Sequence, residues 1–383
     1  MKFVASSAAF NAAVRVVAAA CPARTTQDVL YSIKVECDQD TVRLISTDNM
    51  HTVVRCVDDA EVIEPGVALL PSKTIAKIAS HVSGEVAVNA DGTGVSFKCG
   101  GDRFRMNTEE PATHPGRVPP LVSTDYCHAF STVSAISAIK RTSFATNQVH
   151  HKYALSGIAL DFPNDGESYM VASDGRRSSA AKLYGKSFGS HSAEAVNTVV
   201  PIHGMKVLLS AMLASTSEEV LFSCGASELV VNADDFIFSS RLVEGRFPSP
   251  WRSFVLPVKG EYGRAVCECG DLLNAVRKSE IMSDTESKGV NVAFGEGVIV
   301  FEKNIANSGA SRVQIDAEEC HEPARFKTDA SYLRDWLAVI PSEEMLSLHY
   351  PVDGGSRFHL SSDDGAVYSQ AIMFDTAISA PGV

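Results

Sequence analysis

The sequence predicts three α+β domains in series, each with two helices set on a strand-rich body, and three observations carry that prediction. Segments match one another, in order, at a regular spacing close to a third of the 383-residue chain. An apolar stripe of helical period occurs three times, and β-branched alternating runs fill the stretches between. A chain this long exceeds what one hydrophobic core organises, and the spacing sets the expected domains at residues 1–121, 122–257 and 258–383.

The matches come first. GDRFRMNTEEPATHPG places Asp102, Phe104 and Pro115 ahead of Asp235, Ile237 and Pro248 of DFIFSSRLVEGRFPSP by one and the same offset. Upstream, LLPSKTIAKIA (69–79) matches VVPIHGMKVLLSA (199–211), with Pro71 aligned on Pro201, and ISTDN (45–49) matches VASDG (171–175), each at nearly that offset. Three ordered matches at similar spacing argue duplication.

The helices follow. Each copy opens with a helix-like segment, over 7–20, 126–141 and 270–282; in the first, Phe10, Ala13, Val14 and Val17 fall at i, i+3, i+4 and i+7. The second helix of each copy carries the stripe Ile75, Ile78, Ala79, Val82; then Met205, Leu208, Leu209, Met212; then Leu333, Trp336, Leu337, Ile340. TVRLIST, VSFKCGGDRFRM, VLFSC, LVVNA, FIFSS and VNVAF read as strands.

The N-terminal MKFVASSAAFNAAVRVVAAAC resembles a leader, but Ser6, Ser7, Asn11 and Arg15 interrupt its apolar run, and it reads as the first helix. No segment approaches the roughly 18 apolar residues of a membrane span, so a soluble, cytoplasmic protein is expected. Nine scattered cysteines include one close pair, Cys267 and Cys269, with no second pair to complete a zinc set, and His150–His151 has no spaced partner. Reduced buried thiols, no metal and no cofactor are the expectation. Without a GxSxG elbow, phosphate loop or zinc helix, no catalytic residue is assigned, and a Cys or Ser hydrolase is kept only as an alternative.

Charge points elsewhere. The chain has 46 acids against 34 bases, net −12, which argues against general attraction to nucleic acid. Yet residues 7–21, 72–83, 126–153 and 202–214 contain no Asp or Glu and hold Arg15, Lys73, Lys77, Lys140, Arg141, Lys152 and Lys206. Either these bases are ordinary solvated helix ends, or one face of an acidic protein is shaped for a polyanion.

Three tandem copies of this domain, with MKF at the start, VASDGRR in the second copy, DFIFSSRLVEGRFP at its end and IMSDTESKGV in the third, resemble the bacterial DNA polymerase III beta subunit family, the sliding clamps, over nearly the whole chain. The resemblance implies a DNA-clamp fold of three two-helix, β-sheet-backed domains that closes into a ring as a head-to-tail homodimer. It implies a non-catalytic processivity factor that encircles duplex DNA without sequence preference. Arg24, Tyr153 and Lys152 fall where the family contacts DNA, joining the basic residues above. Phe104 and Met106 would meet Ile281 and Met282 of the second copy, unless all four are core. A cleft for short peptides from the polymerase III alpha subunit, the clamp loader, other polymerases and repair proteins would be formed by Leu155, Ser173, Gly175, Arg177, Pro248, Val255, Tyr332 and Met373. The chain departs from the family at Ser178, where leucine is usual, at Ser287, where phenylalanine is frequent, and in its ending, Ile372-Met373-Phe374-Asp375 running on to Val383. These changes imply a more polar cleft and leave open a clamp-fold paralogue or scaffold with different partners.

Overall fold

The computed structural model describes residues 1–119, 127–147, 154–163, 165–188, 198–256, 262–281, 288–305, 309–352 and 356–373. The first domain runs β1 (Lys2–Ser6), α1 (Ser7–Ala18), β2 (Ser32–Cys37), β3 (Val42–Thr47), β4 (His51–Cys56), β5 (Glu61–Glu64), β6 (Gly66–Pro71), α2 (Ser72–His81), β7 (Glu85–Ala90), β8 (Val95–Cys99) and β9 (Asp102–Met106). The second runs β10 (Cys127–Ser131), α3 (Thr132–Ser143), β11 (Gly157–Asp161), β12 (Ser168–Ser173), β13 (Arg177–Leu183), β14 (Gly185–Ser187), β15 (Val199–Pro201), α4 (Ile202–Leu213), β16 (Glu219–Cys224), β17 (Glu228–Asn232), β18 (Phe236–Arg241) and a short α5 (Arg252–Val255). The third runs β19 (Tyr262–Glu268), α6 (Cys269–Glu280), β20 (Gly289–Gly295), β21 (Val298–Ile305), β22 (Gly309–Asp316), β23 (Ala324–Asp329), α7 (Ala330–Leu337), β24 (Met345–Pro351), β25 (Arg357–Ser362) and β26 (Val367–Ala371). The expected domain boundaries near 121 and 257 lie outside the described residues.

Helix starts have local causes. The Ser6 hydroxyl accepts from Ala9 N at 3.2 Å to cap α1, and Asp329 Oδ1 accepts from Ser331 N at 3.0 Å to cap α7. Pro71 and Pro201 hold the same place before α2 and α4, where a missing N–H costs nothing. The helix expected over 126–141 begins only at Thr132: CHAFS alternates with His128 and Phe130 inward, and its backbone pairs with β14 on one side and β16 on the other. Sheet pairing on both edges overrides helical periodicity there.

The expected stripes face the cores. Phe10, Ala13, Val14 and Val17 are buried on α1, as are Ile75 and Ala79 on α2, Met205, Leu208 and Met212 on α4, and Leu333, Trp336 and Leu337 on α7. Each large side chain so placed contributes about 1.5–3 kcal/mol relative to exposure. α1 packs on α2, α3 on α4 and α6 on α7, and α1 also lies against strands β1 and β7 of one sheet and β3 and β4 of the next.

The sheets join the domains. In the order β14-β10-β16-β17-β18-β4-β3-β2-β6, strand β18 of the second domain pairs antiparallel with β4 of the first. In the order β15-β11-β12-β13-β26-β25-β24-β19, strand β26 of the third pairs with β13 of the second. The two seams share one register: His51 faces Ser240 at the first and Arg177 faces Gln370 at the second, and both members of one pair are the repeat-mates of the members of the other. Two sheets remain, β5-β1-β7-β8-β9 and β22-β21-β20-β23, whose edges β9 and β22 are the repeat-mates of β18 and β4.

Candidate interaction surfaces

The first surface is basic. Lys73 and Lys77 on α2, Lys140 on α3, Lys206 on α4 and Arg24 after α1 are all exposed, and among the described residues none forms an ion pair. Lys73 Nζ lies 5.7 Å from the centre of the Tyr31 ring, which steers it without neutralising it. Arg141, expected beside them, is placed otherwise: it is only 5% exposed and reaches across the second seam to Asp364, to Glu344 at 3.5 Å and to the Ser362 hydroxyl at 3.4 Å. A buried guanidinium must be paired, so Arg141 ties the second and third domains together and leaves the basic set. Lys152 and Tyr153 lie outside the described residues. In the third domain Arg334 is taken up by Glu280 at 2.9 Å and Asp335 at 3.3 Å, so that segment contributes less free charge.

The second surface lies at the seam between the second and third domains and is built on Arg177. The SDGRR turn places Gly175 at φ 89°, a left-handed conformation that favours glycine, and Asp174 Oδ1 accepts from the Arg176 and Arg177 amides at 2.9 and 2.8 Å. Arg177, 8% exposed, then bonds Asp174 through Nε at 3.0 Å, Asp335 of α7 through Nη1 at 2.8 Å, and the Phe144 carbonyl through Nη2 at 2.8 Å. Its guanidinium stacks 4.4 Å from the Tyr332 ring. Ser173, at the base of the turn, accepts from Gly175 N at 3.2 Å and donates to the Arg177 carbonyl at 3.0 Å.

Beside this polar joint sits an apolar one. Leu155 and Val255 pack with Phe247, Trp251 and Val367 in one cluster. Both are buried, at 6% and 0%, so they stiffen the cleft from beneath, while the apolar contact presented to solvent comes from Met373, 40% exposed, with Pro248 and Tyr332 half-buried. Met373 is held by a bond from its amide to the Lys327 carbonyl at 2.8 Å. Ser178 does not make the cleft polar: it is fully buried and donates to the Ser173 hydroxyl at 2.8 Å. Ser287 lies outside the described residues. Asp174, Asp335 and Phe144, the groups that fix Arg177, were not legible as its partners in the sequence; only the i, i+3 spacing of Asp174 and Arg177 was a signal.

The third surface is the pair of open edges. β9 is exposed along Asp102 to Arg105, including Phe104 at 37%, and Ile281, just after α6, is 78% exposed. Met106 differs from expectation: it is 9% exposed and packs in the first domain's core, because it caps the β8–β9 pair opposite Val95. Met282 lies outside the described residues.

Burial disfavours the thiolate at several cysteines. Burial pushes Cys224 and Cys267 up to about 12 and Cys37 and Cys269 up to about 11, and all nine cysteines are free.

Three domains of one plan, joined edge to edge through continuous sheets and each carrying a pair of helices, acid-free in the first two domains, define the DNA-clamp class. The match to known proteins agrees. Residues 1–118 match the model for the DNA polymerase III beta subunit, N-terminal domain, and residues 130–249 that for its central domain. The beta sliding clamp of Pseudomonas aeruginosa is 24% identical over 370 residues, covering 96% of this chain and 98% of that one, and that of Escherichia coli is 25% identical over 326 residues, covering 84% and 86%. The solved DNA polymerase III beta subunit of Thermotoga maritima superposes with a TM-score of 0.86 at 17% identity over 98% of this chain and 100% of its own, and the sliding clamp of Bacillus subtilis with 0.85 at 19% identity over 98% and 99%. The chain belongs to the DNA polymerase III beta subunit family, the sliding clamps, which are non-catalytic processivity factors. Among the described residues no helix is long and apolar enough to cross a membrane.

Proposed function

We propose that two copies of this chain close head to tail into a ring around duplex DNA, with the basic helix face toward the phosphates and the seam between the second and third domains taking short peptides from polymerases and other replication or repair proteins. The observation that carries this reading is the repeated seam. β18 pairs with β4 and β26 with β13 in one register, and β9 and β22, the remaining repeat-mates, are open edges. An open strand edge is a template for pairing, and the same seam made between two copies is a heterologous contact that closes after two subunits. Exposed Phe104 and Ile281 would supply apolar contact there.

Topology then does the holding. A duplex enclosed by the ring cannot leave sideways, so weak phosphate contacts from Arg24, Lys73, Lys77, Lys140 and Lys206 suffice, and they permit sliding because they carry no base readout. The net charge of −12 discourages DNA on the outer wall. A Pseudomonas aeruginosa clamp of the same fold, with a TM-score of 0.84, was solved bound to griselimycin. The expected sedimentation mass is twice 40.9 kDa, falling to a folded monomer for Phe104→Glu with Ile281→Glu; a wild-type monomer, or a variant that stays at the double mass, would overturn ring closure through these edges.

A further inference from the structure

The seam between the first and second domains carries a cluster that neither DNA binding nor peptide binding uses. Asp48, in the β3–β4 turn, fixes one carboxylate oxygen in the backbone: Oδ1 accepts from the Met50 and His51 amides at 2.9 and 2.6 Å. Its other oxygen, Oδ2, points at two imidazoles, His51 Nδ1 at 2.9 Å and His203 Nε2 at 3.8 Å. His203 stands on the first turn of α4, so the cluster joins two domains. One donor atom from each residue lies within 4.8 Å of the others.

The repeat gives this cluster its meaning. At the second seam the same turn presents Asp174, and the residue three positions on is Arg177, whose guanidinium sits between Asp174 and Asp335 of α7, the repeat-mate of α4. That place holds a cation. At the first seam the corresponding residue is His51, and among the described residues no guanidinium pairs with Asp48. His51 is 4% exposed, and the nitrogen that faces the cluster is Nδ1, 3.1 and 2.9 Å from the two Asp48 oxygens, while Nε2 is turned to Gly204 of α4. The ring lies so close to α4 that a side chain on Gly204 would meet His51 Nε2 at 2.7 Å.

We propose that Asp48, His51 and His203 bind a divalent transition-metal ion of the Zn²⁺ class, which clips the first domain to the second. Two imidazoles and a carboxylate suit such an ion, with a solvent molecule as fourth ligand. Ligand bonds of about 2.0–2.1 Å in a tetrahedron put the donor atoms about 3.3 Å apart. The two separations from Asp48 Oδ2, 2.9 and 3.8 Å, bracket that value and the two imidazole donors lie within 4.8 Å of each other; the His203 side chain, 57% exposed, is free to move in. Its exposure also gives the ion a path in from solvent.

Calorimetric titration of the full-length, chelator-treated chain with ZnCl₂ at neutral pH tests this, alongside His203→Ala and His203→Gln. The chain has 11 histidines and nine cysteines, so the variants separate this site from any other. The expected result is one Zn²⁺ per chain, bound at least about 100-fold more weakly by both variants, with a Zn²⁺-dependent rise in melting temperature that both variants lose. Visible absorption bands of bound Co²⁺, present in wild type and absent in the variants, give a second readout. No Zn²⁺ binding by the wild type, or equal binding and equal thermal shift in the variants, would overturn the assignment.

Discussion

Replacing Arg177 with methionine keeps the side chain's apolar stem and deletes the charge that joins three elements of the second seam. The wild-type guanidinium bonds Asp174 at 3.0 Å, Asp335 at 2.8 Å, and the Tyr332 and Phe144 carbonyls at 3.3 and 2.8 Å. The variant leaves Asp174, 14% exposed, with its two backbone amides and Asp335, 34% exposed, with Arg334 at 3.3 Å. Breaking a buried pair by removing one partner costs about 3–5 kcal/mol. Water screens Asp335 in part, and Arg334 and the backbone amides keep both carboxylates partly paired, so the cost falls below that range, to about 2 kcal/mol. Urea unfolding followed by tryptophan fluorescence reads this directly, because the two tryptophans, Trp251 and Trp336, are fully buried on either side of the seam. Adding Asp335→Asn to the variant removes the carboxylate that has lost its Arg177 partner and is expected to recover about 1 kcal/mol. An unfolding free energy within about 0.5 kcal/mol of wild type, or a double variant less stable than the single one, would refute the reasoning.

Three further outcomes are expected. Burial holds His359 at about 4 against 6.5 when unfolded, with its ring bonded to the Val255 carbonyl at 2.8 Å. The unfolded chain therefore takes up a proton that the folded chain refuses. This stability is full above about pH 6.5 and falls by about 3 kcal/mol as pH drops through about 4, measured as urea midpoints against pH and flattened in His359→Gln. Met373→Ala with Tyr332→Ala should abolish calorimetric binding of a polymerase-derived peptide, and an unchanged isotherm would count against the cleft. Lys77→Glu with Lys206→Glu should lower the slope of log affinity for duplex DNA against log salt by about 2, one per lost phosphate contact; an unchanged slope would remove these residues from the DNA face.

The parts of this molecule that were legible in the sequence are those that repetition writes locally. The offset that carries Asp102 onto Asp235 identified β9 and β18 as equivalent strands, and the stripes from Ile75, Met205 and Leu333 located α2, α4 and α7, because helical period and repeat spacing are both written along the chain itself. Long-range pairing was not legible. Arg141 looked like its neighbour Lys140, yet its partner Asp364 lies in another domain, on the far side of the second seam. Residues 127–131 looked helical, since nothing local announces that β14 and β16 flank them. Met106 and Phe104 share one face of β9, and only tertiary packing buries the first and exposes the second. Ser178 read as a polar intrusion into an apolar cleft, whereas its hydroxyl is consumed by Ser173. The Asp48–His51–His203 cluster reaches from a turn of the first domain to a helix of the second, and it was absent from the sequence reading for the same reason.

Retention on nicked circular duplex DNA tests ring closure most directly. A closed ring holds DNA by enclosure, so the chain should stay bound at salt concentrations that remove phosphate-only binders, and it should slide off once the circle is cut to a linear molecule. Loss from the intact circle in high salt, or equal retention after linearisation, would contradict encirclement and leave a clamp-shaped protein that does not enclose its DNA.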